Sequence, residues 1–118
     1  MADDYATYLT DVFREFGRVT VRRMFGGYGI YHDGLMFALA ADETLYLKVD
    51  DESIGRFEAE GLPPFTFDMN GRTASMSYHQ APAEVTEDPA QAAIWARIAY
   101  EAALRARAKR RPKKPRNG

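Results

Sequence analysis

The chain has 118 residues, of which 46% are hydrophobic and 28% charged, a balance that suits one folded domain and excludes a disordered segment. It contains no cysteine, which excludes disulfides, thiolate metal sites and a thiol nucleophile. It has no apolar run long enough to cross a bilayer, and its acidic first residues lack the pattern of a secretory signal. We therefore expect a cytoplasmic protein with no membrane contact.

The first half of the chain predicts one helix followed by four strands. Apolar residues recur at helical spacing in a helix that Asp3 or Asp4 can cap and Gly17 can end. The strands are predicted at 19–25, 28–32, 35–40 and 45–49. Glycines at 26, 27 and 29 predict a bulge, a sharp bend or a close approach of another group to the backbone around the start of the second strand.

The second half predicts a short helix, a hairpin and a long helix. The short helix is expected near 50–60, and two strands at 65–68 and 72–77 flank the turn Asn70-Gly71. Residues 78–82 are expected to leave the sheet. An alanine-rich helix then begins at Asp88-Pro89 and extends to about residue 109.

This order of elements predicts an α+β fold in two layers. It has a largely antiparallel sheet of about five to six strands, with N-terminal, short middle and long C-terminal helices. Alternation assigns four residues to the face without helices: Met36, Ala38, Tyr46 and Lys48. That face is too apolar to stay wholly exposed. The last helix carries apolar residues on two sides, Ile94, Trp95 and Ile98 on one and Tyr100 and Leu104 on the other. These two features predict a homodimer.

The sequence shows no catalytic pattern. His32, interpreted as a turn residue, and His79, interpreted as a sheet-edge residue, lack a second ligand at metal-site spacing. No serine lies in a nucleophile elbow, and the acidic clusters occur at turns and helix starts, where capping explains them. We therefore predict no catalytic residues, no metal and no cofactor.

The bend is the best candidate for contact with a ligand or a partner. The residues chosen for such contact are Arg22, Arg23, Gly26, Gly27, Tyr28, Lys48 and Tyr78. In one interpretation the glycines serve only the backbone conformation. In the other, a small ligand or peptide binds at the bend, with Arg22, Arg23 and Lys48 as partners for an anion.

Charge is distributed unevenly along the chain. Eight of the sixteen basic residues lie in 105–118 and all seventeen acidic residues precede them, so residues 1–104 carry −9 and the remainder +8. The basic residues are Arg105, Arg107, Lys109, Arg110, Arg111, Lys113, Lys114 and Arg116. We predict a single domain over 1–110 and a disordered basic tail over 111–118, with at most weak, sequence-independent contact to nucleic-acid phosphates.

Six stretches form a characteristic combination: Arg23–Tyr31, Met36–Leu39, Leu45–Asp50, Pro64–Phe67, Met76–His79 and the segment from Pro82 to Trp95. Together they resemble the N-terminal domain of the TfoX/Sxy family. The resemblance implies a compact α+β domain, here standing alone, of proteins linked to the regulation of natural competence, the uptake of DNA by bacteria. It supplies no catalytic residues.

Together these observations predict a non-enzymatic regulatory or interaction module of a bacterial cytoplasm, with an unknown protein partner. The alternative is a small-ligand, anion-binding protein or a weak enzyme with its site near the Arg22–Gly27 bend.

Overall fold

The computed structural model describes residues 4–24 and 26–110. In this part of the chain the helices are α1 (Asp4–Val12), α2 (Ile54–Ala59), α3 (Glu84–Glu87) and α4 (Pro89–Arg110). The strands are β1 (Thr20–Met24), β2 (Gly27–His32), β3 (Leu35–Ala41), β4 (Thr44–Lys48), β5 (Pro64–Met69) and β6 (Arg72–Gln80). The predicted α+β fold, with N-terminal, short middle and long C-terminal helices, is confirmed. The short α3 was not predicted, and α1 ends at Val12 rather than at Gly17.

The six strands form one sheet in the order β1-β2-β3-β4-β6-β5, and each neighbouring pair is antiparallel. Asp33 and Gly34 at the β2–β3 turn have φ values of 50° and 80°, and Asn70 and Gly71 at the β5–β6 turn have 52° and 80°. Two consecutive residues with positive φ give a turn whose twist matches that of the flanking strands. Both predicted hairpins are therefore confirmed.

The helices cover one face of the sheet. Phe13, just after α1, meets Phe37 of β3 edge-on, with ring centroids 5.3 Å apart. Tyr100 of α4 reaches the same Phe37, and Phe57 of α2 packs against Trp95 at 5.1 Å. These rings are the centre of the core, and the opposite face of the sheet, called the open face below, carries no helix of the described part.

Alanines make the central contact stripe of α4. Ala92, Ala96, Ala99 and Ala103 are buried at helical spacing, whereas Ile94 is exposed. The predicted stripe that paired Ile94 with Trp95 is therefore wrong. Small side chains let the helix backbone approach the sheet closely, and the large rings fill the space to either side.

A bulge in β3 determines which residues reach the open face. Two consecutive residues of β2 pair with the residues immediately before and after Phe37. Phe37 itself therefore has no partner in β2. Beyond it, Ala38 pairs with Leu47 under the helices, and Leu39 pairs with Tyr46 on the open face. Strict alternation placed Ala38 on the open face, and this prediction is wrong because the extra residue reverses the alternation.

Strand β6 continues three residues further than predicted. Residues 78–80 were expected to leave the sheet, but they pair with β4 and so join the β5–β6 hairpin to the other strands. His79 is consequently buried in the interior rather than at a sheet edge, and its Nδ1 donates to the carbonyl oxygen of Leu62 at 2.7 Å. Central pairing, rather than local propensity, determines the length of this strand.

Candidate functional site

The open face carries an apolar cavity of about 300 Å³. Its lining residues are Met24, Gly27, Tyr28, Leu39, Ala40, Ala41, Phe65, Phe67 and Met76. None of these residues has a charged side chain. The cavity therefore suits an apolar group and offers nothing that would hold an ion.

Two walls enclose the cavity. Met24, Gly27 and Leu39 come from β1, β2 and β3, and Phe65 and Met76 come from the β5–β6 hairpin. Because β1 and β5 are opposite edges of a six-stranded sheet with strands about 4.8 Å apart, the sheet must curve over this face. Register shifts in the β2–β3 and β5–β6 pairs supply local bending.

The glycine-rich bend forms one end of the cavity. Gly26 has φ 79° and lies between Met24 and Gly27, which pair with each other, so the predicted bend is a tight hairpin turn. The predicted bulge is not at these glycines but at Phe37. Gly27 itself approaches β3 so closely that a Cβ there would lie 2.3 Å from the carbonyl oxygen of Ala40. The position accepts no side chain.

Beyond the cavity, methionines and a tyrosine cover the open face. A Cβ on Gly29 would meet the Sδ of Met24 at 2.9 Å, a ring carbon of Tyr31 at 3.1 Å and the Sδ of Met36 at 3.2 Å. These side chains fill the space above the glycine. Met24 lines the apolar cavity and also covers Gly29, so the cavity ends at this side chain.

Two basic side chains lie beside tyrosines at the other end of the open face. The guanidinium of Arg22 is 5.2 Å from the ring centre of Tyr31, and the Nζ of Lys48 is 5.2 Å from that of Tyr78. Lys48 also donates to the Oγ of Ser77 at 2.6 Å. Burial, and then the charge of Arg110, lower the pKa of Lys48. Burial raises the pKa of Tyr78 to about 12.

The structure separates the basic residues chosen from the sequence. Arg22 and Arg23 are consecutive in β1 and therefore point to opposite faces of the sheet. Arg23 pairs with Tyr28, whose ring meets Tyr5 of α1 on the helix side at 5.3 Å. The three cations proposed to hold an anion do not converge.

The remaining predicted contact residues fall into two groups. Gly26, Gly27 and Tyr28 lie together, beside a shallow depression that also includes the acidic residues Asp42 and Glu43. Lys48 of β4 pairs with Tyr78 of β6. This pair lies at the end of β4 that is farther from Gly26 and Gly27. The bend and the Lys48–Tyr78 pair are therefore two separate places on the sheet.

The basic end of the chain is partly engaged within the fold. Arg105 donates from Nε to Asp50 Oδ2 at 2.6 Å and from an Nη to Asp50 Oδ1 at 3.0 Å. Arg107, Lys109 and Arg110 are exposed in the last turns of α4. The other predicted tail residues, Arg111, Lys113, Lys114 and Arg116, lie outside the described residues, as does the predicted disorder of 111–118.

Sequence reasoning missed most of the cavity. Leu39, Phe65, Phe67 and Met76 were assigned to strands but not to a site. A usable signal was present, because Phe65 and Phe67 alternate along β5 and therefore place two large apolar side chains on one face of the sheet. Among residues 4–24 and 26–110, no group of three or more histidines, aspartates and glutamates is placed to hold a metal ion. That part of the chain also has no helix long and apolar enough to span a bilayer.

The chain is an α+β domain with a curved antiparallel sheet, one face of which lies under the helices while the other is apolar and carries no helix among the described residues. The chain belongs to the TfoX N-terminal domain family, whose model matches residues 11–103, and the resemblance noted in the sequence is confirmed. It is similar to the DNA transformation protein TfoX1 of Aliivibrio fischeri (strain ATCC 700601 / ES114), at 34% identity over 65 residues. The match covers 55% of this chain and 31% of that relative, so the chain spans about a third of the relative's length.

Proposed function

We propose that the chain is a bacterial, cytoplasmic regulatory module that acts in the control of natural competence by binding and not by catalysis. Family membership and the relative named as a DNA transformation protein support the competence part of this proposal. The apolar cavity on the open face carries the binding part. Concave apolar surfaces that a fold leaves uncovered are characteristic of binding sites.

Two methionines of the β5–β6 hairpin give a matched pair for testing this proposal. Met76 lines the cavity and is 37% exposed, whereas Met69 is 52% exposed and does not line it. Both side chains are partly exposed, so we expect both glutamate variants to fold, with the larger loss of stability at position 76. A carboxylate at position 76 would bring an uncompensated charge into an apolar site, and one at position 69 would remain in water.

We expect deletion of the gene from its own bacterium to lower the frequency of natural transformation. The parent protein and Met69→Glu should restore that frequency, and Met76→Glu should not. Circular dichroism and thermal melting of the purified variants check that both are folded. Full restoration by a folded Met76→Glu protein, or unchanged transformation in the deletion strain, would contradict the proposal.

Two further partner predictions accompany this proposal. We propose that the chain forms a homodimer and that its basic C-terminal tail makes at most weak, sequence-independent contact with nucleic-acid phosphates. The exposed Ile94 supports the first, and the exposed Arg107, Lys109 and Arg110 support the second. Both stay predictions.

A further inference from the structure

We infer that the cavity on the open face binds a small uncharged aromatic molecule of one or two fused rings. The inference rests on the proposed function, which makes this cavity the binding site, and adds to it the chemical class of the ligand. The proposed module would then respond to a small effector.

The size of the cavity limits the ligand. Apolar cavities of about 150 Å³ lined by aliphatic and aromatic side chains bind benzene. The present cavity has about 300 Å³, roughly twice that volume, and it opens to solvent, so a ligand can enter without unfolding of the wall. A two-ring compound fits this space.

The side chains on the walls favour a flat aromatic compound. The rings of Phe65 and Phe67 lie 6.1 Å apart and are nearly parallel, at an interplanar angle of 22°. Met24 and Met76 bring thioether groups to the same cavity. Aromatic rings gain from offset or edge-to-face contact with other rings, and thioether sulfur makes favourable contact with ring edges.

The charges around the cavity favour a neutral compound. None of the lining side chains is charged, so an ion would lose its hydration without gaining a counter-charge. Asp42 and Glu43 border one depression beside the cavity and Arg23 borders another, so acidic charge exceeds basic charge there and disfavours an anion. An aromatic carboxylate should therefore bind more weakly than its uncharged parent compound.

The methionines provide a direct readout. With the ε-methyl groups labelled with ¹³C, the full chain is titrated with indole and, in parallel, with indole-3-carboxylate and with cyclohexanol. We expect saturable shifts of the Met24 and Met76 signals with indole and none at Met69, which lies outside the cavity. The carboxylate should bind about tenfold or more weakly, which corresponds to about 1.4 kcal/mol. Cyclohexanol should also bind more weakly than indole.

A filling variant strengthens the assignment. Ala41 is half-buried at the end of β3 and lines the cavity, so Ala41→Leu should reduce the volume and weaken indole binding, whereas Met69→Ala should not. The titration of the parent protein is decisive by itself. Absence of saturable shifts at Met24 and Met76 up to the solubility limit of indole, or equal shifts at Met69, would overturn the inference.

The two proposals fail in distinguishable ways. If indole does not bind but Met76→Glu still fails to restore transformation, the cavity is functional and its ligand is not a small aromatic compound. If indole binds at Met24 and Met76 while the deletion strain transforms normally, the binding site stands and the role in competence is wrong.

Discussion

Replacing Gly27 with alanine is expected to lower the free energy of unfolding by about 3 kcal/mol, a substantial part of the roughly 5–15 kcal/mol by which a typical domain is stable. The new Cβ would lie 2.3 Å from the carbonyl oxygen of Ala40, a distance that no relaxed structure tolerates. That oxygen belongs to the backbone of β3 in the middle of the sheet and cannot rotate away. Urea unfolding of the purified variant measures the loss.

Two other glycines supply controls for this prediction. Gly26 has φ 79° and no neighbour within 4 Å, so Gly26→Ala should cost only the backbone strain of a left-handed residue, about 1 kcal/mol. Gly55 lies in α2 with open space around it, and Gly55→Ala should be neutral or stabilising by up to about 1 kcal/mol. If Gly27→Ala lowers the free energy of unfolding no more than Gly26→Ala does, then β2 and β3 do not approach each other closely at Gly27.

Replacing Asp50 with alanine is expected to have an effect of similar size, about 3 kcal/mol. Asp50 follows β4, and its side chain is 12% exposed. It accepts two bonds from Arg105 of α4, and its Oδ1 accepts the backbone N–H groups of Glu52 and Ser53 at 3.1 Å each. One carboxylate thus organises the turn into α2 and fastens the end of α4 to it.

The neighbouring acid at position 51 is the matched control. Asp51 is exposed, so Asp51→Ala should change the free energy of unfolding by less than about 0.5 kcal/mol. Arg105→Ala combined with Asp50→Ala should cost less than the sum of the single changes, because the two side chains form one interaction. Full additivity would show that the pair contributes nothing beyond the separate side chains.

Because of the Asp50 carboxylate, we expect the stability of the fold to depend on pH in the acid range. The hydrogen bond from Arg105 lowers the pKa of Asp50 from 3.8 to about 2. A folded-state pKa below the unfolded value stabilises the fold above the unfolded pKa, and the contribution is lost as the pH falls from about 4 to about 2. At one pKa unit per 1.36 kcal/mol and with allowance for screening, the loss is about 1–2 kcal/mol. Asp50→Asn should remove this part of the acid dependence, and an unchanged slope in urea unfolding at graded pH would contradict the assignment.

Local signals predicted most of the secondary structure. The pairs Asp33-Gly34 and Asn70-Gly71 marked two hairpins because the turn needs two residues that tolerate positive φ. Asp88-Pro89 marked the start of α4, where the Asp88 side chain accepts the N–H of Ala90 at 2.9 Å. Each of these turns and this helix cap is formed by residues close together in the chain, so the amino-acid sequence alone is enough to predict them.

The candidate site was predicted only in part. Gly27 and Tyr28 were selected and do border the cavity, but the facing wall of Phe65, Phe67 and Met76 was not. That wall reaches the bend only because the sheet curves, and the curvature depends on register shifts between strands. A register shift is a property of two paired strands and leaves no mark in either strand alone.

Sequence patterns were enough for the fold class, the order of all helices and strands except α3, two hairpin turns, the start of α4 and the family, because each depends on local conformational preference or on short motifs. Tertiary structure decided the rest. The bulge at Phe37 moved Ala38 under the helices and placed Leu39 on the open face. Pairing with β4 kept residues 78–80 in the sheet and buried His79. The pairing of the six strands into one curved sheet brought separate apolar residues together in one cavity, because side chains distant in sequence meet only after the strands have paired and the sheet has curved.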